Sequence, residues 1–238
     1  MLSLIIPVYN EEKIIRDTIK SVKTYMQNNF DDYEVLFVND GSKDKTLQII
    51  REFELSDARI KAVTYEQNKG KGGAVRTGVL EANGDIIFYT DCDLAYGLDV
   101  IKQGYDVFEE NKDADIIIGS RRKHKDGYAG YTLFRKIMSS VSYQILKIYG
   151  GVKSSDSQSG IKGFRKDEAK KIFGLCEVNG WIFDFEALLI AQKLKYKIFE
   201  MPVKIINHRE SKINPIKDSI KALRDIRKIK KRVKKLKL

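Results

Sequence analysis

Short apolar runs alternate with amphipathic stretches through the first 120 residues. The runs Leu2 to Val8, Tyr33 to Asn39, Ile60 to Tyr65, Asp85 to Thr90 and Asp115 to Gly119 read as strands. Between them, apolar positions recur at helical spacing near 11–28, 44–55, 70–82 and 98–110. Strand, helix, strand at this spacing predicts an α/β fold: a mostly parallel sheet flanked by helices, with ligands beyond the carboxyl ends of the strands. The polar and glycine residues cluster at those ends: Asn10 and Glu11, Asp40 to Ser42, Asn68 to Gly73, Asp91 to Asp93, and Ser120 to Arg122.

The second half is less regular. A helical run, Phe134 through Tyr149, leads into a polar loop, Lys153 to Ser159, and a short segment, Gly160 to Phe164. Trp181 to Leu194 reads as a buried helix and Lys197 to Ile206 as a strand. After Pro215, apolar Ile216, Ile220, Leu223, Ile226, Ile229, Val233 and Leu236 recur every three or four residues among lysines and arginines. That pattern predicts a basic amphipathic helix over 216–238.

Charge sharpens the picture of this tail. Of the net +11, residues 217–238 hold +9 (eleven Lys or Arg against Asp218 and Asp225), so the body 1–216 is nearly neutral at +2. Basicity confined to one segment, without a nucleic-acid module, points to an anionic surface, with a tail-mediated nucleic-acid-binding protein as the rival of another class. No stretch reaches the roughly 20 apolar residues of a bilayer span. The opening run reads as a buried strand rather than a secretory leader, so residence in the cytoplasm is expected. Cys92 and Cys176 lack metal-type spacing.

Two clusters carry chemistry. Asp91-Cys92-Asp93 follows the apolar strand Ile86 to Tyr89; on extended backbone, residues two apart face one side, so both carboxylates meet at one point. Hard oxygen ligands there suit Mg²⁺ or Mn²⁺ completed by a diphosphate, against the plainer reading of a solvated turn. Lys69-Gly70-Lys71-Gly72-Gly73 with Arg76 opens a helix whose free N–H groups favour an anion, against the reading of a plain loop-to-helix junction. Asp40 is either a helix cap or a partner for base or ribose.

In order, Pro7-Val8-Tyr9-Asn10-Glu11, Asn39-Asp40-Gly41-Ser42, Asn68 to Ala74, Asp91-Cys92-Asp93 and Gly119-Ser120-Arg121 resemble the nucleotide-diphosphosugar-binding half of GT-A fold inverting glycosyltransferases of family 2. Asp156-Ser157-Gln158-Ser159-Gly160-Ile161-Lys162-Gly163-Phe164, Trp181 to Glu186 and the segment His208 to Lys212 are similar to dolichyl- and polyprenyl-phosphate glucosyltransferases and mannosyltransferases.

The resemblance implies a catalytic domain over 1–215, with a nucleotide-sugar half (1–120) and an acceptor half (121–215). Pro7, Tyr9, Glu11, Asp40, Lys71, Gly72, Arg76 and Asp91 would surround the donor, and Asp91 and Asp93 the metal. Arg121, Arg135, Ser139, Arg209 and Lys212 would meet the acceptor phosphate, and Asp156, Gln158 and Asp184 the reacting carbon. The implied reaction is metal-dependent inverting transfer of a sugar, glucose favoured, from a nucleoside diphosphate sugar to a polyprenyl phosphate. The C-terminal helix would hold the enzyme peripherally at the cytoplasmic face of the membrane. A soluble family 2 enzyme glycosylating a hydroxyl of a cell-wall or capsular glycan is the alternative, and departures at Leu94-Ala95-Tyr96-Gly97 leave the sugar open.

Overall fold

The computed structural model describes residues 1–207 and 215–237; the side chains at 134, 135, 137, 138, 141, 142, 148, 149 and 215–224 are not described. Five of the expected strands form within a residue or so of their predicted bounds: β1 (Leu2–Val8), β2 (Tyr33–Asp40), β3 (Ile60–Tyr65), β4 (Ile86–Tyr89) and β5 (Ile116–Ser120). Helices α1 (Ile15–Asn29), α2 (Thr46–Glu54), α3 (Lys71–Glu81) and α4 (Asp99–Glu110) connect them. Then come α5 (Leu133–Ile145) with a π-helical turn at Leu146–Gly150, β6 (Lys162–Arg165), α6 (Lys166–Leu175), α7 (Phe183–Lys193), β7 (Ile198–Pro202) and α8 (Pro215–Lys235). Helix α6 is absent from the sequence reading.

The sheet runs β3-β2-β1-β4-β6-β5-β7. Its β1, β2, β3 and β4 are mutually parallel, and β5 is parallel to β7. The exception is β6, which inserts antiparallel between β4 and β5. It thereby delivers the loop 153–161 to the carboxyl ends of β4 and β5, because an antiparallel strand begins where its parallel neighbours end.

Alternation along β1 fills two cores. Leu4, Ile6 and Val8 pack under α1, α2 and α4, whereas Ile5 joins Val38, Ile87 and Tyr89 under α3, α6 and α7. Gly78 lets α3 lie against β1 and β2, since a Cβ there would come within 2.5 Å of the Ile5 side chain.

The C-terminal helix corrects an expectation. Ile226, Ile229 and Val233 are buried in the α3/α6/α7 core, and Leu236 packs against it. Three such side chains contribute roughly 5 kcal/mol of burial. Lys193 closes the helix end by donating to the carbonyls of Val233, Lys234 and Leu236 at 2.8, 2.8 and 2.6 Å. The described part of the apolar stripe therefore faces the protein rather than a bilayer, because α7 and the π-helical turn at Leu146–Gly150 leave an apolar surface that it covers. Ile216, Ile220 and Leu223 lie among the side chains not described.

Candidate active site

The carboxyl ends of the parallel strands open on a cleft of ≈ 280 Å³, with Lys71, Asp91, Asp93, Arg121, Gln158, Trp181 and Asp184 in its walls. These come from the start of α3, the loop after β4, the end of β5, the loop before β6 and the start of α7. Sequence spacing and topology together account for this convergence: each residue sits just past a parallel strand's end, at a helix start that points there, or, for Gln158, in the loop that leads into antiparallel β6.

Asp91 and Asp93 both face the cleft, through a turn rather than extended backbone. The Leu94 N–H donates to the Asp91 carbonyl at 3.0 Å, and Leu94 turns left-handed with φ 49°. Buried Cys92 lies between the two carboxylates, and its carbonyl accepts from Thr18 Oγ1 of α1 at 2.9 Å. Lys71 Nζ stands 2.5 Å from Asp91 Oδ1. Burial lowers the Lys71 pKa, but the charges of Asp91, Asp184 and Asp93 outweigh it and hold the ammonium above its ordinary value.

Behind the cleft lies a buried trio. Lys162, wholly enclosed, donates from Nζ to Asp184 Oδ1 at 2.6 Å and to the Ser159 carbonyl at 2.7 Å, and the Tyr89 hydroxyl donates to the same Asp184 oxygen. Burial depresses the Lys162 pKa below its ordinary value against the pull of Asp184; burial and the Asp184 charge push the Tyr89 phenol far up. Two donors on Oδ1 fix the rotation of the Asp184 carboxylate. Sequence reading misses Lys162 because a lysine in a short glycine-flanked segment looks like surface.

Asp156 is held elsewhere. Arg121 grips it with both arms, Nε to Oδ2 and Nη2 to Oδ1 at 2.7 Å each, and the Arg121 N–H adds a third bond at 3.0 Å. Burial raises the Asp156 pKa, yet Arg121 more than offsets it and the carboxyl lies below its ordinary value. Asp156 thus positions Arg121, which lines the cleft and also reaches the Tyr131 hydroxyl at 3.2 Å. Gln158 lines the cleft with its Nε2 buried and no protein partner in reach.

The glycine-rich turn departs from expectation. The Gly72 and Gly73 N–H groups donate to the Asn179 carbonyl at 2.8 and 3.3 Å, while those of Lys69 and Gly70 donate to Asp40 at 2.7 and 2.9 Å. A Cβ on Gly72 would fall 2.5 Å from Phe183 Cβ, so this glycine is demanded by packing. Arg76 likewise turns away from the cleft, binding the Cys176 carbonyl at 2.9 Å and Asn179 Oδ1 at 2.7 Å. Gly72 and Arg76 therefore clamp the segment 176–179. Asp40, which also accepts from the Tyr65 hydroxyl at 2.8 Å, shapes the turn from the other side. Lys71 alone of this cluster reaches the cleft.

Pro7 lies near the end of β1, and Tyr9 and Glu11 follow the strand beside the β2 loop. The Asn10 N–H donates to Ser42 Oγ at 3.0 Å and that of Glu11 to Thr46 Oγ1 at 2.8 Å, so the two strand ends form one rim with Tyr9 exposed. Ser139 is partly exposed on α5 and does not line the cleft. The Arg135 side chain, Arg209 and Lys212 lie outside the described residues.

A divalent ion would find two oxygen donors here. The described residues contain no cluster of three or more His, Cys, Asp or Glu. Asp91 and Asp93 alone suit Mg²⁺ or Mn²⁺, which take one or two carboxylates and complete their shell with water and substrate phosphates. Gly160 lets the Asp91 carboxylate take up its place, since a Cβ there would lie 2.2 Å from Asp91 Oδ2. The residues fit the ion.

Comparison with known proteins bears on the family and the fold. The family model for glycosyl transferase family 2 matches residues 3–173. A dolichyl-phosphate beta-glucosyltransferase of Trichomonas vaginalis is 34% identical over 216 residues, 85% of this chain and 64% of that protein; the chain thus spans somewhat under two thirds of its length. A UDP-N-acetylglucosamine–dolichyl-phosphate N-acetylglucosaminyltransferase of Methanococcus voltae is 32% identical over 222 residues, 87% of this chain and 86% of that protein. Among solved structures, glucosyl-3-phosphoglycerate synthase of Mycobacterium tuberculosis, in complex with Mn²⁺, UDP-glucose and phosphoglyceric acid, superposes with a TM-score of 0.69 at 16% identity, covering 100% of this chain and 81% of that one. It shares the fold.

Proposed function

This chain belongs to glycosyl transferase family 2, and from that premise we propose that it transfers a hexose, glucose favoured, from a uridine diphosphate sugar to a polyprenyl phosphate with inversion at the anomeric carbon. The observation that carries the reading is the meeting of Lys71, Asp91 and Asp93 in a single cleft with Asp184 and Arg121. The named acceptors of the dolichyl-phosphate relatives supply the substrate class.

The donor diphosphate would lie against Asp91, Asp93 and Lys71, with the nucleoside over the rim formed by Pro7, Tyr9 and Glu11. Asp91 and Asp93 would hold a divalent ion, which would supply charge neutralisation of the departing diphosphate. Lys71 exchanges its contact with Asp91 for one with the phosphates. Arg121, oriented by Asp156, receives the acceptor phosphate. An acceptor phosphate oxygen attacks the anomeric carbon, the bond from that carbon to the diphosphate oxygen breaks, and the nucleoside diphosphate leaves with the electron pair. A phosphate is already ionised near neutral pH, so no strong base is required. Asp184, rotationally fixed by Tyr89 and Lys162, and Gln158, with its unpartnered amide, orient the sugar.

Residues 1–120 serve as the donor half and 121–215 as the acceptor half. A lipid acceptor brings the enzyme to a membrane surface, where we place it peripherally at the cytoplasmic face; no described helix is long and apolar enough to cross a membrane. The exposed Arg227, Lys228, Lys234 and Lys235 of α8 offer it charge at about 1 kcal/mol per residue.

The test is transfer of radiolabelled glucose from UDP-glucose to a short polyprenyl phosphate, with Mg²⁺ and with chelator. Label in the lipid phase only with metal is expected. Metal-dependent hydrolysis of the donor without lipid product would move the acceptor to a soluble glycan.

A further inference from the structure

The C-terminal helix is joined to the donor side of the cleft by a continuous set of polar contacts. Arg232, on the inner face of α8, lies 2.5 Å from Glu186 Oε1 and donates to the Leu175 carbonyl at 3.0 Å. Glu186 is fully buried, and its other oxygen, Oε2, accepts from the N–H groups of Glu177 and Val178 at 2.9 and 2.7 Å. The next residue, Asn179, takes the N–H groups of Gly72 and Gly73 on its carbonyl, and its side chain holds Arg76. Lys71 sits in that same first turn of α3 and reaches Asp91.

Each link is stiff for a physical reason. A carboxylate without water must keep its partners, because a buried charge left unpaired is costly. Glu186 has no alternative among solvent molecules, so the position of Arg232 fixes it, and it fixes the backbone at 177–178. Gly70 and Gly72 permit the strap to sit directly on the turn: a Cβ on Gly70 would fall 2.7 Å from the Asn179 carbonyl oxygen, and one on Gly72 would fall 2.6 Å from that of Val178. Close backbone contact of this kind transmits a shift of one segment to the other with little slack.

From this we infer that Arg232 is a positioning residue for donor binding: acting through Glu186 and the strap 175–179, it sets the place of Lys71 in the cleft. The inference rests on the proposed donor chemistry only in its affinity arm. It makes α8 a component of the donor site rather than an appendage beside it.

Two readouts on the full chain test it. Hydrogen exchange over 69–76 reports the strap directly, and UDP binding in Mg²⁺, followed by fluorescence of Trp181, the single tryptophan and a cleft residue, reports the site. Arg232→Met is expected to speed exchange over 69–76 and weaken UDP binding by about tenfold, with kcat at saturating donor changing much less than KM. Arg232→Lys, which keeps the charge but not the fork, is expected to fall between wild type and Arg232→Met. Lys231→Met, which removes an exposed charge from the same helix, is expected to match wild type.

Unchanged exchange and UDP affinity in a folded Arg232→Met protein overturn the inference, as does an equal loss in Lys231→Met. Should Arg232→Met not fold, Arg232→Lys carries the test, and wild-type values in both readouts overturn the inference. Absence of UDP binding by the wild-type chain would overturn the donor reading instead, and the exchange arm then decides the strap alone.

Discussion

Lys71 Nζ and Asp91 Oδ1 form a 2.5 Å ion pair inside the cleft, so the lysine competes for the carboxylate that a metal would use. Replacing it with Met should therefore act in opposite directions on two measurements. Mn²⁺ binding in the absence of nucleotide, read by paramagnetic resonance, should tighten as Asp91 is freed. Turnover per KM should fall by about 10², since a cation facing the leaving phosphates is lost. Parallel weakening of both would mean that the lysine helps to assemble the metal site.

Gly160 faces Asp91 so closely that Gly160→Ala must push the carboxylate aside. A loss of metal-dependent activity of about 10² or more is expected with a melting temperature lowered by only a few degrees. A variant with wild-type activity would remove Asp91 Oδ2 from the working site.

Lys162, wholly enclosed, and Asp184, buried at the cleft wall, form an ion pair. Lys162→Met should cost about 3–5 kcal/mol of stability in denaturant titrations, because the buried Asp184 charge loses its enclosed cation. Adding Asp184→Asn should recover most of that loss while activity stays low. Additive losses in the double variant would show that the pair is not coupled.

Asp156→Asn separates orientation from proton transfer. Both oxygens already serve Arg121, so kcat at saturating acceptor should remain within about threefold of wild type while KM for the acceptor rises by about tenfold. A collapse in kcat of about 10³ would make Asp156 part of the chemical step.

Glu34, at the opposite end of the strands, offers a test by pH. Burial raises its pKa, but Lys61, Ser3 and the Asn83 N–H outweigh this and hold it at about 2, against an ordinary 4.5. A folded pKa below the unfolded one means stability that is complete above pH 4.5 and lost as pH falls toward 2. Glu34→Gln should lower stability at pH 7 by on the order of 2 kcal/mol and flatten its decline through that acid window.

The nucleotide half was legible because its strands are apolar runs ended by functional residues, so period and motif agree. Asp91, Asp93 and Lys71 followed from that frame, whereas Asp184 came only with the resemblance carried by the segment Trp181 to Glu186. What escaped depends on partners distant in sequence. The glycines at 70, 72 and 73 invite an anion until the Asp40 carboxylate and the Asn179 carbonyl are seen filling their N–H groups. A stripe of Ile226, Ile229 and Val233 looks the same whether it meets lipid or a neighbouring helix. Strand β6 is four residues long with Lys162 at its start, too short and too polar to announce a core strand.

The antiparallel insertion of β6 also sets an order on synthesis. Strands β1 to β4 can pair as they emerge, but β5 ends at Ser120 and borders only β6 and β7. Its first partner, β6, is completed at Arg165, roughly 45 residues later, about 2–9 s at ordinary translation rates. Until then an Ile-rich strand waits unpaired on the ribosome, which makes this interval the point at which a nascent-chain chaperone would have most to do.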